Sequence, residues 1–475
     1  MARPNVQYLD RYLKKIGAST VVVELEYNDT DYLDDYASYY VRCYPNYERF
    51  CRRIHFFQNR FEEQDLKSAI MSKDDSEIVK ELQRSYLGFI VARPLPLTVI
   101  GRTLLASYPE DGRRRFPTRG KYAVSLFGLS LNITSVPYQE QDSVVSACAT
   151  VAIWSALHRA SKIFGTSTPR PMHITTNANQ VRAPYGRSVP SHALTLEQMC
   201  QAVNAVGLEP EVYLVTDSTP LLSIVYAYLE LGLPVIMGVQ IEGSQGHAIT
   251  ITGASITDSA IDIGEQVASP VPMIGRRINE LFVHDDGIGP FAWIRIQSSE
   301  SPNKPRDYTY PVAFLSSWKS DNGEDLLLFP HVLVVPVHPK IRIRYTDIER
   351  TLRALTDLFK SIILQDTDLE WEPRVQFTNQ YKTELRARLS LTKTEVDFLF
   401  SSQPRFIWRI TLRLEKAHVA DVIIDATDIP NQALPAILWR HERFGGECKL
   451  RWNRPRSAKQ IIASRGQPFF DAIMQ

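Results

Sequence analysis

Cys148 stands at the start of a largely apolar stretch that is typical of a buried helix. The stretch runs to Gly165, and the alanines on either side of the cysteine leave its sulfur unobstructed. A thiol becomes a strong nucleophile when it is deprotonated, and the unpaired N–H groups at a helix N-terminus favour the anion. The sequence therefore predicts a nucleophilic thiol at this position.

A histidine and an aspartate follow Cys148 in settings that would complete a thiol-dependent site. His247 follows a glycine and begins an apolar, strand-like run, and Asp285 ends another such run. An imidazole can form an ion pair with a thiolate, and a carboxylate on its second nitrogen fixes the tautomer. His284 and Asp286 are the immediate alternatives to Asp285 in this orienting role.

Acyl transfer also needs hydrogen-bond donors for the oxyanion of its tetrahedral intermediate. Gln141, seven residues before Cys148, is a candidate side-chain donor beside the backbone N–H of Cys148. Gln139 is close enough in the sequence to take its place. A cysteine packed in the core and a solvated glutamine are the structural alternatives for Cys148 and Gln141.

The segments that carry these residues resemble one family of enzymes. A glutamine ahead of a cysteine-initiated helix, followed by LPVIMGVQ, GHAITITG and VHDDGIGPF, is similar to the papain-like cysteine peptidases of the double-glycine leader peptidase type. The likeness covers roughly residues 131 to 300. It implies that Cys148 is the nucleophile, His247 the general base and acid, Asp285 the orienting residue and Gln141 the oxyanion donor.

The function implied by this resemblance is cleavage of a peptide or protein amide bond through a Cys-His-Asp triad and an acyl-thioester intermediate. Ala149 stands where the family usually has glycine, and the interval from Gln141 to Cys148 is one residue longer than usual. Both departures leave open the alternative of a catalytically silent papain-like domain that serves peptide binding or assembly. A thiol acyltransferase, in which an amine resolves the thioester, is the other alternative.

The length of the chain and its local patterns predict three α+β units. At 475 residues the chain is too long for one hydrophobic core. We expect an N-terminal α+β unit at 1–130 and a papain-like peptidase domain at 131–337, in which the cysteine helix packs on an antiparallel sheet. A C-terminal α+β unit at 338–475 completes the expected α+β fold.

Local patterns also place individual elements within these units. Runs of β-branched and apolar residues predict strands at 20–27 and 235–241, and a polar helical stretch is expected at 61–84. Capping boxes at Thr195 and Thr346 predict two helix starts. The arginines at 113–115 are expected to lie in a solvated turn.

The composition excludes several classes of protein. Lys plus Arg (54) nearly balances Asp plus Glu (53), so bulk charge selects no partner. Five widely spread cysteines argue against a disulfide framework. We see neither a secretory signal near the start nor the run of ~20 apolar residues that a membrane span requires. We therefore expect a cytoplasmic protein with a peptide or protein substrate and no membrane partner.

Two other patterns resemble binding sites, one for a metal ion and one for nucleic acid. Cys43, Cys51 and His55 lack a usual zinc spacing and a clear fourth ligand, so no metal or other cofactor is expected. The basic stretch 440–465 is interrupted by acidic residues, which favours a solvated surface over a nucleic-acid site. A protein partner bound through the flanking units is the remaining expectation.

Overall fold

The computed structural model describes residues 3–142, 144–145, 147–181, 193–244, 246–261, 271–320, 322–362, 368–429 and 436–452. Within these ranges helices alternate with antiparallel sheets, so the protein has a mixed α+β structure. None of the described helices is long and apolar enough to cross a membrane.

The helices of the described residues are numbered in chain order. They are α1 (Pro4–Lys15), α2 (Thr30–Ser38), α3 (Glu63–Ile70), α4 (Glu77–Ser85), α5 (Cys148–Phe164), α6 (Pro171–Ala178), α7 (Leu196–Asn204), α8 (Leu221–Leu229), α9 (Tyr345–Ile362), α10 (Thr378–Arg386), α11 (Lys393–Phe400) and α12 (Glu442–Trp452). Short 3-10 turns occur at Tyr40–Arg42 and Ile274–Arg277.

The strands are numbered in the same way. They are β1 (Thr20–Tyr27), β2 (Cys51–Phe57), β3 (Tyr86–Ala92), β4 (Ile100–Leu105), β5 (Arg114–Arg115), β6 (Gly120–Leu126), β7 (Leu129–Ser135), β8 (Glu209–Leu214), β9 (Val235–Ile241), β10 (Gly246–Ile256), β11 (Ile278–Asp285), β12 (Gly289–Ser298), β13 (Val312–Lys319), β14 (Asp325–Val337), β15 (Leu369–Phe377), β16 (Phe406–Leu414), β17 (Ala417–Asp425) and β18 (Ala436–Trp439). The strands predicted at 20–27 and 235–241 are confirmed as β1 and β9.

The chain folds into two compact units, each assembled from separate segments. The first contains residues from 1–216, 232–256 and 279–336, and the second contains residues from 217–231, 257–278 and 337–475. The first unit therefore includes residues from both the N-terminal and the central range expected from the sequence. The second unit includes two short segments from within the central range.

The main sheet of the first unit closes into a six-stranded barrel. Its strands pair in the order β11, β12, β13, β14, β9 and β10, and a pairing of β10 with β11 completes the ring. Successive pairs from β11 through β14 and on to β9 and β10 are antiparallel. Arg114 and Arg115 form β5 and pair with β10, so the prediction of a solvated turn is wrong for these two residues. The edge offered by β10 explains the difference.

A second sheet in the first unit joins β1, β2, β3 and β4, and β6 and β7 form a hairpin. All these neighbouring strands are antiparallel. One hydrophobic core extends through this region and includes the fully buried Phe57, Val91 and Leu126. The helical stretch expected at 61–84 is two helices, α3 and α4, separated by a short polar segment.

Helix α5 begins and ends where its sequence predicts. Gly165 follows its last residue with a φ of +77°, a left-handed conformation that favours glycine and ends helices. The helix packs on β9 and β10 of the barrel and on α6 and α7. Residues from Ala149 to Leu157 are all buried, which explains why the first half of the helix is largely apolar on every side.

The second unit contains the antiparallel sheet β15–β16–β17–β18. The central strand β16 is buried on both faces, and even Arg409 and Thr411 are covered. Both pair with the buried carboxylate of Asp421, at 3.0 and 2.6 Å. Their burial is possible because these polar groups have partners.

One predicted capping box is confirmed and the other is wrong. Thr195 caps α7 with the reciprocal bonds of a capping box. Helix α9 begins at Tyr345, so Thr346 lies inside it, and the Asp347 carboxylate accepts the N–H of Arg344 at 3.1 Å. Asp347, the third residue of α9, therefore satisfies the N–H of the residue that precedes the helix.

Candidate active site

The first turn of α5 presents the partly exposed thiol of Cys148. Ala147 is the N-cap, and none of the described side chains caps this end of the helix. The N–H groups of the first turn therefore remain available to an anion. The preceding segment is held by Thr175, whose hydroxyl donates to the carbonyl oxygen of Val145 at 2.7 Å.

Two buried threonines of β10 link the strand that carries His247 to its neighbours. Thr250 donates its hydroxyl to the carbonyl oxygen of Ala152 in α5 at 2.9 Å. Thr252 donates to the carbonyl oxygen of Phe282 in β11 at 3.0 Å. Because both side chains are 0% exposed, these hydrogen bonds are shielded from water and fix the helix and the two strands in register.

The structure brings Cys148, His247 and Asp285 together. His247 Nε2 lies 3.0 Å from Asp285 Oδ1, and a hydrogen bond with Cys148 is among the causes that raise the pKa of His247. Because Nε2 faces the carboxylate, Nδ1 is the ring nitrogen left for the thiol. The histidine side chain is 8% exposed and the aspartate side chain 2%. Thiol, imidazole and carboxylate thus lie together at one end of the barrel, where β10 begins and β11 ends.

The surroundings of His247 favour its protonated form. Burial alone would lower the pKa of the imidazole. The charge and hydrogen bond of Asp285, the hydrogen bond with Cys148 and the charge of Asp286 outweigh burial and raise this pKa well above its ordinary value. A high imidazole pKa suits His247 to accept a proton from a neighbouring group, which is what a thiolate–imidazolium pair requires of its histidine.

Asp285 is held in place by two donors besides the histidine. Its Oδ1 accepts the backbone N–H of Gly287 at 3.0 Å, and its Oδ2 accepts the indole N–H of Trp318 at 2.8 Å. These bonds fix the carboxylate plane, and the carboxylate in turn fixes the orientation of the His247 ring. Asp285 therefore has the geometry of an orienting residue.

Trp318 is the site residue that sequence reasoning missed. Its ring also lies edge-on to the His247 imidazole, with the centroids 5.4 Å apart and the planes at 78°. Gly287 makes this approach possible, because a Cβ there would come within 2.3 Å of the indole. The glycine was a visible sign of close packing, but the sequence did not identify the distant strand β13 as the packing partner.

The two alternatives to Asp285 lie in different environments. Asp286 Oδ1 is 3.6 Å from His247 Nε2, and neither of its oxygens has a hydrogen-bond partner on another described residue. Burial raises the pKa of Asp286 to about 7. His284 turns its Nδ1 to the carbonyl oxygen of Pro137 at 3.2 Å, and burial lowers its pKa to about 3. His284 is therefore a neutral ring that faces away from the orienting position.

Gln141 and Gln139 occupy contrasting positions. Gln141 is exposed in the segment before α5, and its role as the oxyanion donor stays a prediction. Gln139 is 3% exposed and lines a small cavity together with His284 and Asp286. The backbone N–H of Cys148 lies at the start of α5, where an N–H has no acceptor within the helix.

The arrangement provides what acyl transfer through a thiol requires: a nucleophile, a base held by a carboxylate, and N–H donors at a helix start. No protein-family model and no curated protein sequence matches this chain. The chemistry of the site is therefore inferred from its own geometry.

The same group also contains atoms that can ligate a metal ion. Ligand atoms of His247, Asp285 and Asp286 all lie within 4.8 Å of one another, which is close enough to reach one ion. Both oxygens of Asp285 already accept N–H donors, and the histidine Nε2 faces one of them. This pattern fits a hydrogen-bonded orienting pair rather than a set of metal ligands.

The Cys43, Cys51 and His55 array is separate from this site. The two ring nitrogens of His55 lie 2.9 Å from the Tyr86 hydroxyl and 3.0 Å from the Glu24 carboxylate. Both nitrogens are thus engaged with protein groups, and burial lowers the pKa of the ring. In the described residues this histidine is a hydrogen-bonded part of the core.

Proposed function

We propose that this protein is a cysteine peptidase that cleaves a peptide or protein amide bond. The observation that carries the proposal is the grouping of Cys148, His247 and Asp285, with the thiol at a helix start that none of the described side chains caps. A cysteine that serves only packing has no need of a neighbouring imidazole that is held by a carboxylate. The raised pKa of His247 further supports a thiolate–imidazolium pair.

The surrounding architecture supports the papain-like part of the proposal. Helix α5 begins at the nucleophile and packs on β10, the strand that carries the histidine. Strand β11, which pairs with β10, ends at the carboxylate. A cysteine helix on an antiparallel sheet, with histidine and aspartate following in that order, is what the resemblance to papain-like peptidases implies.

The residues act in two half-reactions. The Cys148 thiolate attacks the amide carbonyl carbon, and the oxyanion accepts the N–H of Cys148 and, as predicted, the amide of Gln141. His247 gives the proton taken from the thiol to the leaving amine as the C–N bond breaks, which leaves an S-acyl thioester. His247 then removes a proton from water, which attacks the thioester carbonyl. The C–S bond breaks, the carboxylic acid leaves, and His247 returns the proton to sulfur, with Asp285 stabilising the imidazolium throughout.

Hydrolysis by the full chain across a peptide and protein substrate library tests this proposal. Cys148→Ala and His247→Ala should each lower kcat/KM by more than about 1,000-fold, because each removes one member of the reacting pair. Cys200→Ala is the matched control, since Cys200 is also a partly exposed helical cysteine. It should retain the wild-type rate. Wild-type hydrolysis in both site variants would overturn the proposal.

The products separate the peptidase from its two alternatives. Added primary amines would appear in conjugates if the thioester is resolved by an amine, whereas a peptidase releases the free carboxylic acid. Specific peptide binding by a chain whose Cys148 is inert to iodoacetamide would identify a silent papain-like domain instead.

A further inference from the structure

A small cavity beside the His247–Asp285 pair has no part in the reaction described above. It is lined by buried side chains from α5, β10 and the segments around residues 138 and 284. Three of these side chains carry polar atoms with no hydrogen-bond partner among the described residues: Gln139 Nε2, His284 Nε2 and both carboxyl oxygens of Asp286. Each of the three residues is 3% or 4% exposed. Such atoms are costly to bury, and proteins satisfy them with water where there is room.

The hydrogen-bonding capacities of the three groups match one water molecule. The Pro137 carbonyl oxygen can only accept, so His284 Nδ1 carries the proton and His284 Nε2 is an acceptor. Gln139 Nε2 is a donor, and an ionised Asp286 accepts. One water can donate to His284 and Asp286 while accepting from Gln139. The cavity has space for about one water molecule.

Asp286 also acts on the histidine of the active site. Its Oδ1 lies 3.6 Å from His247 Nε2, and its charge contributes to the raised pKa of that ring. Burial and the nearby charges of Asp285 and Glu140 raise the pKa of Asp286, and the imidazolium lowers it. The neutral His284 and the hydroxyl of Tyr138, which donates to the Asp286 backbone oxygen at 3.3 Å, complete its polar surroundings.

A further hydrogen-bond donor to the Asp286 carboxylate therefore shifts the balance towards its charged form. The imidazolium and the backbone N–H of Asp286 itself favour the anion, whereas burial beside two other carboxylates favours the neutral acid, which cannot stabilise an imidazolium. A donor from water favours the anion and strengthens the effect on His247.

We propose that Asp286 is a positioning residue for His247, and that one water molecule shared with His284 and Gln139 keeps its carboxylate charged beside the imidazolium. The inference deepens the proposed function and rests on it, because it assigns Asp286 to the same reaction centre. Asp285 orients the ring through a direct hydrogen bond, whereas Asp286 stabilises its charge without one.

The titration of His247 in the full chain tests this inference and does not require activity. Labelling with ¹⁵N-histidine allows the imidazole midpoint to be followed by NMR, with the His247 signal assigned by its loss in His247→Ala. Asp286→Asn retains the shape and removes the charge, so the midpoint should fall by about one pH unit. Gln139→Leu removes the donor to the water without touching His247, so the midpoint should fall by a smaller amount. The His247 midpoint of the double variant should fall no further than that of Asp286→Asn alone, because both residues act through the same carboxylate.

Ser85→Ala is the matched control. It removes another buried polar group of the first unit, a hydroxyl that donates to the Leu82 carbonyl oxygen, and should leave the His247 midpoint unchanged. A midpoint in Asp286→Asn within about 0.2 pH unit of the wild type would overturn the positioning role. An unchanged midpoint in Gln139→Leu would overturn the shared water. Iodoacetamide labelling of the same samples separates the two proposals, since an inert Cys148 with the expected midpoint shifts refutes only the peptidase.

Discussion

Two adjacent carboxyl groups act differently on one imidazole. Asp285 accepts a backbone N–H and the indole N–H of Trp318, and these donors hold it against His247 at 3.0 Å. Asp286 lies at 3.6 Å with no donor on another described residue. The sequence could name both aspartates as candidates but could not separate them. The distinction depends on a tryptophan that only the folded barrel brings near.

Trp318→Phe tests the contribution of the indole donor. The substitution keeps an aromatic ring beside His247 and removes the N–H that binds Asp285 Oδ2. Hydrogen bonds to charged groups contribute on the order of 1.5–3 kcal/mol, so a partial loss of orientation should lower kcat/KM by roughly ten-fold or more. Trp293→Phe is the control, because Trp293 is also partly exposed and lies on the adjacent strand β12. Equal kcat/KM values for the two variants would show that the indole N–H has no role.

The elements best predicted from the sequence are those specified by their own residues. Strands β1 and β9 follow runs of β-branched and apolar residues, and α7 begins at a capping box that the structure confirms. Glycine ends α5 at the expected place. Local conformational preference and side-chain capping suffice to define these boundaries.

Elements that depend on distant partners could not be predicted in this way. Strand β5 is two residues long and forms because β10 offers it an edge. The pairing of β10 with β11, which closes the barrel, joins strands separated by a long insertion. Described residues of that insertion belong to the second unit, where the N–H of Trp371 donates to the carbonyl oxygen of Pro272 at 2.8 Å. No local pattern encodes such pairings.

At the scale of the whole molecule, buried carboxyl groups make stability depend on pH. Burial is the main cause that raises the pKa of Asp31 to about 6, above the ~3.9 of an unfolded aspartate. At pH values between the unfolded and the folded pKa, the folded chain binds more protons than the unfolded chain. The contribution of Asp31 is therefore full below the unfolded pKa and is lost as pH rises through the folded pKa.

Asp421 has the opposite dependence. Burial would raise its pKa, but its bond with His418 and the charges of Arg409 and Arg440 lower it well below the ordinary value. Its contribution is present above the unfolded pKa and is lost as pH falls through the folded value. For Asp31 and Asp421 together, stability is therefore highest near the ~3.9 pKa of an unfolded aspartate and falls on either side of it.

Thermal unfolding midpoints measured from about pH 4 to 8 test this dependence. Asp31→Asn should reduce the decline of the midpoint between about pH 4 and 6, because an amide cannot release the proton. A decline as steep in this variant as in the wild type would contradict the assignment of Asp31.

The central claim is that Cys148 and His247 form a thiolate–imidazolium pair. Its most direct test is the rate of iodoacetamide alkylation at Cys148 near pH 6, where a free thiol is almost wholly protonated. We predict that the wild-type chain reacts at least about ten-fold faster than His247→Ala at this pH, since only the wild type has the imidazole that takes the thiol proton. Equal, slow alkylation of the two chains would contradict the pair and the chemistry derived from it.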